Sequence, residues 1–154
     1  MPLGCEPLAS SNLALSASPG RGAGAHVGPG GVMNVFDAVG ENGFTRLVDH
    51  FYTGVAADPV LQPLYPAGDM DGARRRLTLF LIQYWGGPDT YSRERGHPRL
   101  RMRHAPFAIG MAEREAWLAL MREAVASLVL SPEVESALMG YFEPASMAMI
   151  NQLT

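Results

Sequence analysis

Hydrophobic residues recur at helical spacing along most of this chain. The first set follows the i, i+3, i+4, i+7, i+8, i+11 pattern that marks one face of a helix: Phe44, Leu47, Val48, Phe51, Tyr52 and Val55. Asp58-Pro59 predicts the end of this helix, because the residue before a proline is disfavoured in helical conformation. The apolar face of a second predicted helix consists of Met70, Ala73, Leu77, Phe80, Leu81 and Tyr84. The run Gly86-Gly87-Pro88 predicts where that helix ends.

Two further helices are predicted in the second half of the chain. A long helix is expected over residues 111–128, where apolar residues again form a stripe. The last helix is predicted to start at Ser131-Pro132, because Ser is a favourable N-cap and Pro suits the first helical position. Pro144 is expected to kink or split that helix, because proline lacks the backbone N–H that a helix interior uses. No segment alternates with a period of two, so the predicted fold class is all-α.

The first 32 residues differ in composition from the rest of the chain. They are mainly Gly, Pro, Ser and Ala, and such a segment buries too little apolar surface to offset the entropy of ordering it. We therefore expect residues 1–32 to be a disordered extension and residues 33–154 to form one domain. A secretion signal is disfavoured, because Leu13-Ala14-Leu15 is too short an apolar core and no basic residue precedes Arg21. A cytoplasmic protein is expected.

Charge and cysteine content exclude several classes of function. The net charge of −3 gives no electrostatic reason to bind nucleic acid or an anionic membrane surface. The single cysteine excludes an internal disulfide and a cysteine-based zinc site. No apolar run approaches the roughly 18 residues that a membrane-spanning helix needs. We therefore expect no nucleic-acid partner and no membrane span.

The richest chemistry lies in residues 83–107, QYWGGPDTYSRERGHPRLRMRHAPF. This stretch contains two of the four histidines and is rich in arginine, and no carboxylate occurs between Glu94 and Glu113. A short helix is predicted from Pro98 to His104, because proline suits a first helical turn and Pro106 prevents continuation. The stretch therefore predicts a lone histidine on a short, cationic helix.

A lone histidine does not suit a zinc site, which needs three or four protein ligands. His97 and His104 are seven residues apart, and no third ligand is near them in the sequence. A haem iron needs only one axial protein ligand, together with apolar helix faces and cations for the propionates, and this region meets those needs. The residues alone leave a structural histidine, a surface histidine and a haem ligand open.

The run from Tyr84 to Phe107, YWGGPDTYSRERGHPRLRMRHAPF, resembles without gaps the signature of group II (O-type) truncated haemoglobins. The resemblance continues through Ala116-Trp117 and backward through FYTGVAADPVLQPLYP, and covers about residues 33 to 150. It implies a truncated globin, two helices packed over two around haem b, with a reduced first helix. That architecture agrees with the helices that the hydrophobic pattern predicts.

The resemblance implies a role for each of several chemically distinctive residues. It makes His104 the proximal ligand of the haem iron, whereas His97 matches a loop histidine that is not a ligand. Tyr52, Tyr65 and Trp117 match distal residues that donate hydrogen bonds to a ligand on the iron. On spacing alone, Tyr52 and Trp117 would be ordinary core residues.

Further positions are expected to contact the haem. Ala73 matches the small residue at a place where many globins have a distal histidine, and Leu77 lies one helical turn further on. Arg76 is expected to point towards a propionate, with Arg101 and Arg103 as weaker candidates. The full set of expected cofactor contacts is Ala73, Arg76, Leu77, Phe80, Leu100, Arg103 and Phe107.

The resemblance implies binding of O2, NO and CO, and of peroxide if the protein is an enzyme. One hypothesis is redox chemistry, either nitric oxide dioxygenation or peroxide reactions, which requires an unidentified reductase. A second is oxygen storage or delivery, and a third is a gas sensor or interaction module. Three distal donors favour slow oxygen release, which suits chemistry better than delivery. Homo-oligomeric assembly is left open.

Overall fold

The computed structural model describes residues 34–65 and 68–152, and within these ranges the chain is helical without any β-strand. The helices, in chain order, are α1 (Val35–Ala57), α2 (Met70–Tyr84), α3 (Thr90–Arg95), α4 (Leu100–His104), α5 (Met111–Ala126) and α6 (Pro132–Ala148). A single 3-10 turn, Gln62–Leu64, lies between α1 and α2. The all-α prediction is confirmed. The prediction of disorder for residues 1–32 falls outside the described residues.

Helix α1 begins earlier than the hydrophobic pattern predicts. Asn34 caps it, because its side-chain oxygen accepts hydrogen bonds from the backbone N–H groups of Phe36 and Asp37 at 2.8 and 3.4 Å. Gly40 interrupts the helical path with φ 76° and ψ 165°, a conformation that glycine adopts without strain. The first turns therefore form a short helical piece set at an angle to the rest of α1.

The core forms where α1 packs against α2 and α5, and where α5 packs against α6. All six residues of the first predicted apolar face are completely buried: Phe44, Leu47, Val48, Phe51, Tyr52 and Val55. On α2, the predicted face is buried at Ala73, Leu77, Phe80 and Leu81, whereas Met70 and Tyr84 at its two ends are only partly buried. The 3.6-residue period thus identified the faces that meet in the core.

The region up to and including α4 differs from the prediction in two ways. Helix α3 was not predicted, since its six residues bury only Tyr91 and show no apolar stripe. Helix α4 begins at Leu100 rather than at Pro98, because Arg99 adopts a left-handed conformation with φ 44° and ψ 52°. The prediction of a short helix ending at His104 is confirmed, but its start was placed two residues too early.

Pro144 does not split the last helix, since α6 runs without interruption from Pro132 to Ala148, and the predicted kink stays a prediction. A proline in a helix removes one hydrogen bond, here the bond to the carbonyl of Gly140, and its ring crowds that carbonyl. Pro144 and Gly140 both lie on the exposed side of α6. Water can therefore bind the free carbonyl, and the missing bond falls where its loss costs least.

Two glycines test how closely these helices pack. A Cβ atom on Gly87 would lie 2.7 Å from both Ile82 Cγ2 and Phe36 Cε1. We expect Gly87→Ala to lower the free energy of unfolding by about 1–3 kcal/mol, because either the ring or the helix must shift. A Cβ on Gly140 meets nothing within 4 Å, so Gly140→Ala should raise it by about 0.5–1 kcal/mol. Chemical denaturation measures both, and a Gly87→Ala protein as stable as wild type would contradict the packing described.

Candidate functional site

His104, the last residue of α4, is 1% exposed. Its Nδ1 lies 2.7 Å from the carbonyl oxygen of Leu100, one helical turn earlier. A carbonyl can only accept a hydrogen bond, so Nδ1 carries the hydrogen and donates it. In the neutral ring this leaves the lone pair on Nε2, the arrangement in which a histidine can coordinate a metal through Nε2.

His97 has a different environment from His104. It is exposed, and its Nδ1 accepts a hydrogen bond from the backbone N–H of Arg99 at 3.1 Å. That bond spans the turn in which Arg99 takes its left-handed conformation. His97 therefore shapes the loop before α4, in agreement with the loop role that the resemblance implies.

Tyr52, Tyr65 and Trp117 belong to one buried aromatic group. They are 0%, 4% and 2% exposed. The rings of Tyr52 and Tyr65 meet edge to face with centroids 5.5 Å apart. Phe51 links the two helices, since its ring centroid lies 5.1 Å from that of Tyr52 and 5.6 Å from that of Trp117 on α5. The fold thus brings together three residues that lie far apart in the sequence.

The polar atoms of these three side chains are buried without a hydrogen-bond acceptor among the described residues: Tyr52 Oη, Tyr65 Oη and Trp117 Nε1. Leaving a buried donor unpaired costs about 1–3 kcal/mol, so such groups are rare in native interiors. Phenylalanine or leucine at these positions would fill similar space without that cost. The arrangement fits a polar ligand that the chain itself does not supply.

The two phenols remain hydrogen-bond donors at neutral pH. Burial raises the pKa of Tyr52, and the nearby Tyr65 hydroxyl and the positive charges of Arg76 and Arg74 oppose that rise only partly. Burial also raises the pKa of Tyr65 well above its usual value. The two hydroxyls are near enough to influence each other's pKa, yet they do not meet the geometry of a hydrogen bond.

Helix α2 presents a buried apolar face next to this group. Ala73, Leu77 and Phe80 are 1%, 0% and 3% exposed, so three of the expected cofactor contacts lie in the interior. On the side of His104, Leu100 is fully buried and Phe107 is partly buried. The Phe107 ring centroid is 6.4 Å from that of the His104 imidazole.

Among the three consecutive arginines of α2, Arg76 is the most sheltered. Its side chain is 14% exposed, and it donates to Asp69 Oδ2 at 2.7 Å. Arg74 pairs with Asp49 at 3.0 Å, and Arg75 pairs with Glu94, both nearer the surface. The expectation that Arg76 points towards a propionate stays a prediction. The side chains of Arg101 and Arg103 lie outside what the structure describes.

Neither a metal cluster nor a membrane-spanning helix occurs in the described part of the chain. No group of three or more His, Cys, Asp or Glu residues within it could hold a metal ion. A site with one histidine therefore needs its other ligands from a non-protein group, as a porphyrin provides. No helix of the described residues is long and apolar enough to cross a bilayer.

Comparison with known proteins decides the family. Residues 34–151 match the family described as bacterial-like globin. The chain belongs to the bacterial-like globin family. The group II truncated haemoglobin of Bacillus subtilis (strain 168) named YjbI is 41% identical over 117 residues, which are 76% of this chain and 88% of that protein. The resemblance to group II truncated haemoglobins is thereby confirmed, and this globin is a haem protein that binds diatomic ligands.

Solved structures agree with this assignment. A thermostable haemoglobin from Thermobifida fusca is 57% identical, with a TM-score of 0.75 over 77% of this globin and 98% of that chain. A truncated oxygen-avid haemoglobin from Bacillus subtilis is 40% identical, with a TM-score of 0.72 over 77% of this globin and 99% of that chain. The truncated globin fold is therefore confirmed for the chain described here.

Sequence reasoning missed two contributors to this site and one further buried donor. Asp69 accepts a hydrogen bond from Arg76. It lies seven residues earlier, a spacing that places both side chains on the same side of the start of α2. Asn151 bonds to the segment that follows His104 and gave no local signal. Trp85 is also buried with an unpartnered indole N–H, and it packs edge-on 5.0 Å from Tyr84.

The raised phenol pKa values predict the behaviour of this globin at alkaline pH. Above about pH 10 the unfolded chain releases phenolic protons that the folded chain retains. The free energy of unfolding therefore keeps its full contribution from these two tyrosines below pH 10 and falls as the pH rises above it. Replacing Tyr52 and Tyr65 by Phe should make that fall less steep. No lysine is present to titrate in the same range. Urea denaturation across this pH range measures the slope.

A core variant without a titrating group provides the control for this slope. Val48→Ala should lower stability equally at every pH, because Val48 is fully buried and carries no proton. An unchanged alkaline slope in the double Tyr→Phe variant would contradict the assignment of these pKa shifts.

Proposed function

We propose that this globin holds haem b through His104 and uses Tyr52, Tyr65 and Trp117 for redox chemistry with oxygen and nitric oxide, or with peroxide. The observation that supports this most strongly is the set of three buried donors without an acceptor among the described residues. A diatomic ligand that gains negative charge would accept their hydrogen bonds. The cost of burying these donors is then offset only when that ligand is present.

The proximal side supports His104 as the iron ligand. Its Nδ1 donates to the Leu100 carbonyl, which fixes the tautomer and the ring orientation and raises the basicity of Nε2. Haem, when bound, supplies an iron that takes up diatomic gases and exchanges one electron with them. The other metal ligands then come from the porphyrin, which explains why a single buried histidine suffices.

Residues of α2 support the expected contacts with the porphyrin. Ala73, Leu77 and Phe80 form a buried apolar face, as a porphyrin plane requires. Arg76, which lies between Ala73 and Leu77 in the sequence, keeps a sheltered positive charge on the same helix. Its guanidinium donates to Asp69, and we propose that it also meets a propionate. Arg103 remains a proposed second cation.

The number of distal donors favours chemistry over delivery. Each charge-assisted hydrogen bond contributes about 1.5–3 kcal/mol, and every 1.4 kcal/mol slows ligand release about tenfold if association is unchanged. Several donors acting together would hold oxygen for long periods, which a delivery protein must avoid. One structural relative is described as oxygen-avid, which supports the same proposal for this globin.

Proximal ligation predicts different spectra for two histidine variants. His104→Ala should lose the five-coordinate ferrous absorption spectrum of the haem-loaded protein, because it removes the buried ring and its Nε2. His97→Ala should keep that spectrum, since His97 is exposed and accepts a hydrogen bond from the backbone of the loop turn. Loss of the spectrum in His97→Ala but not in His104→Ala would overturn the assignment.

Distal donation predicts the effect of Trp117→Phe. Phenylalanine retains most of the packing against Phe51 and Phe142 but removes the indole N–H. Losing one charge-assisted bond should speed oxygen release about 10- to 100-fold in stopped flow. Tyr52→Phe should have a smaller effect, and the two changes should be non-additive because they share one ligand. An off-rate within about twofold of wild type, with only a lower melting temperature, would make Trp117 a core residue.

Stopped-flow mixing also distinguishes redox chemistry with nitric oxide from oxygen storage. Nitric oxide is mixed with the ferrous protein under oxygen, and nitrate is measured together with the ferric spectrum. Dioxygenation predicts one nitrate for each ferrous haem consumed, because NO and O2 combine as the ferrous iron gives up one electron. Rapid oxygen release without nitrate formation would instead support storage or delivery.

A further inference from the structure

The chain folds back at its end to bind the segment that follows His104. Asn151 lies beyond α6, 47 residues after His104 in the sequence. Its side-chain Nδ2 donates to the carbonyl of Phe107 at 2.8 Å and to the carbonyl of His104 at 3.5 Å. Its Oδ1 accepts from the backbone N–H of Ile109 at 2.9 Å. One amide therefore holds three backbone groups within six residues.

The chemistry of the amide matches these three partners. A carboxamide carries two N–H donors and one acceptor oxygen. Both donors are directed to carbonyls, and the oxygen accepts from an N–H group, so the partners fix which end is which. Neither a carboxylate nor an aliphatic side chain could make the same set of bonds. Asparagine is thus the residue type that this position requires.

The backbone strengthens the same junction. The N–H groups of Asn151 and Gln152 both donate to the carbonyl of Ile109, at 2.8 and 3.0 Å. Ile109 is 1% exposed, and Met149 just before the junction is 4% exposed. The junction therefore joins the end of α6 to the connection between α4 and α5 through both side-chain and main-chain bonds.

Helix α4 needs such support because it is short. It has five residues, and a helix of that length is not stable without tertiary contacts. The Leu100 carbonyl orients the His104 ring from within α4. The backbone of His104 is fixed by the following turn, in which its carbonyl accepts from the N–H of Phe107 at 2.9 Å and from the Asn151 amide.

We propose that Asn151 is a positioning residue for the proximal histidine, and that it couples the end of α6 to the geometry of the bond between His104 and the haem iron. The inference rests on the proposed role of His104 as iron ligand. Leu100 sets the rotation of the imidazole, and Asn151 sets the position of the backbone that carries it. Without the Asn151 amide, the imidazole keeps its rotation, but the backbone of His104 is held less firmly.

The test uses Asn151→Leu, which retains the size of the side chain and removes its three hydrogen bonds to the backbone of residues 104–109. Resonance Raman spectra of the ferrous, unliganded protein should show a broadened or shifted iron–histidine stretching band. Haem transfer to excess apomyoglobin should become about 10- to 100-fold faster, the usual effect of removing an outer partner of a metal ligand. In haem-free protein, exchange of the Ile109 amide hydrogen should accelerate, because that N–H loses its acceptor.

Two further variants separate positioning from general stability. Asn151→Asp keeps the acceptor for Ile109 and loses both donors, so Ile109 should stay protected while the iron–histidine band changes. Asn34→Ala removes a different asparagine, the cap of α1, and should lower the melting temperature without altering the band. The contrast between Asn151 and Asn34 is the readout that a merely structural role would not produce.

The outcomes distinguish failure of this inference from failure of the proposed function. An iron–histidine band with the position and width of wild type, together with a haem transfer rate within about twofold of wild type, in both Asn151 variants would overturn the positioning role. Loss of the band in His104→Gly, with recovery on adding imidazole, would at the same time uphold His104 as ligand. A band that persists in His104→Gly would overturn the proposed ligand itself.

Discussion

Tyr52, Tyr65 and Trp117 bury three hydrogen-bond donors within one aromatic group, and the described residues of this globin offer them no acceptor. That cost is tolerable only because the surrounding packing is strong: Phe51 is fully buried between Tyr52 and Trp117, and α1 carries a completely buried apolar face. Side chains held this firmly cannot turn towards the solvent to satisfy their polar atoms. Packing therefore fixes the positions of these three donors.

The surroundings of His104, the proposed proximal side, depend on hydrogen bonds. Here a five-residue helix carries a buried histidine, and its own hydrogen bonds are too few to hold it. The Leu100 carbonyl and the Asn151 amide supply bonds from two directions, one local and one from the far end of the chain. Rigid packing on the distal side and hydrogen bonding on the proximal side thus act on opposite faces of the proposed haem site.

The sequence was informative where one physical signal dominates. Buried helix faces repeat every 3.6 residues, so the long helices were identified with errors confined to their ends. The N-terminal piece of α1 and all of α3 were missed, because each buries too few residues to make a stripe. Pro144 does not split α6, because the cost of a proline depends on whether the carbonyl four residues earlier can reach water. That carbonyl, like Pro144, lies on the exposed side of α6, and no local sequence pattern indicates this exposure.

The sequence by itself determined the fold class, the family and the candidate residues His104, Tyr52, Tyr65 and Trp117, because helical periodicity and a long ungapped motif are local properties of the chain. Only the tertiary structure decided which polar atoms are left without partners, that Arg76 is held by Asp69, and that Asn151 reaches the turn after His104. These are relations between residues as many as 47 positions apart. Hydrogen bonds depend on distance and direction in space, and sequence order fixes neither until the helices have packed.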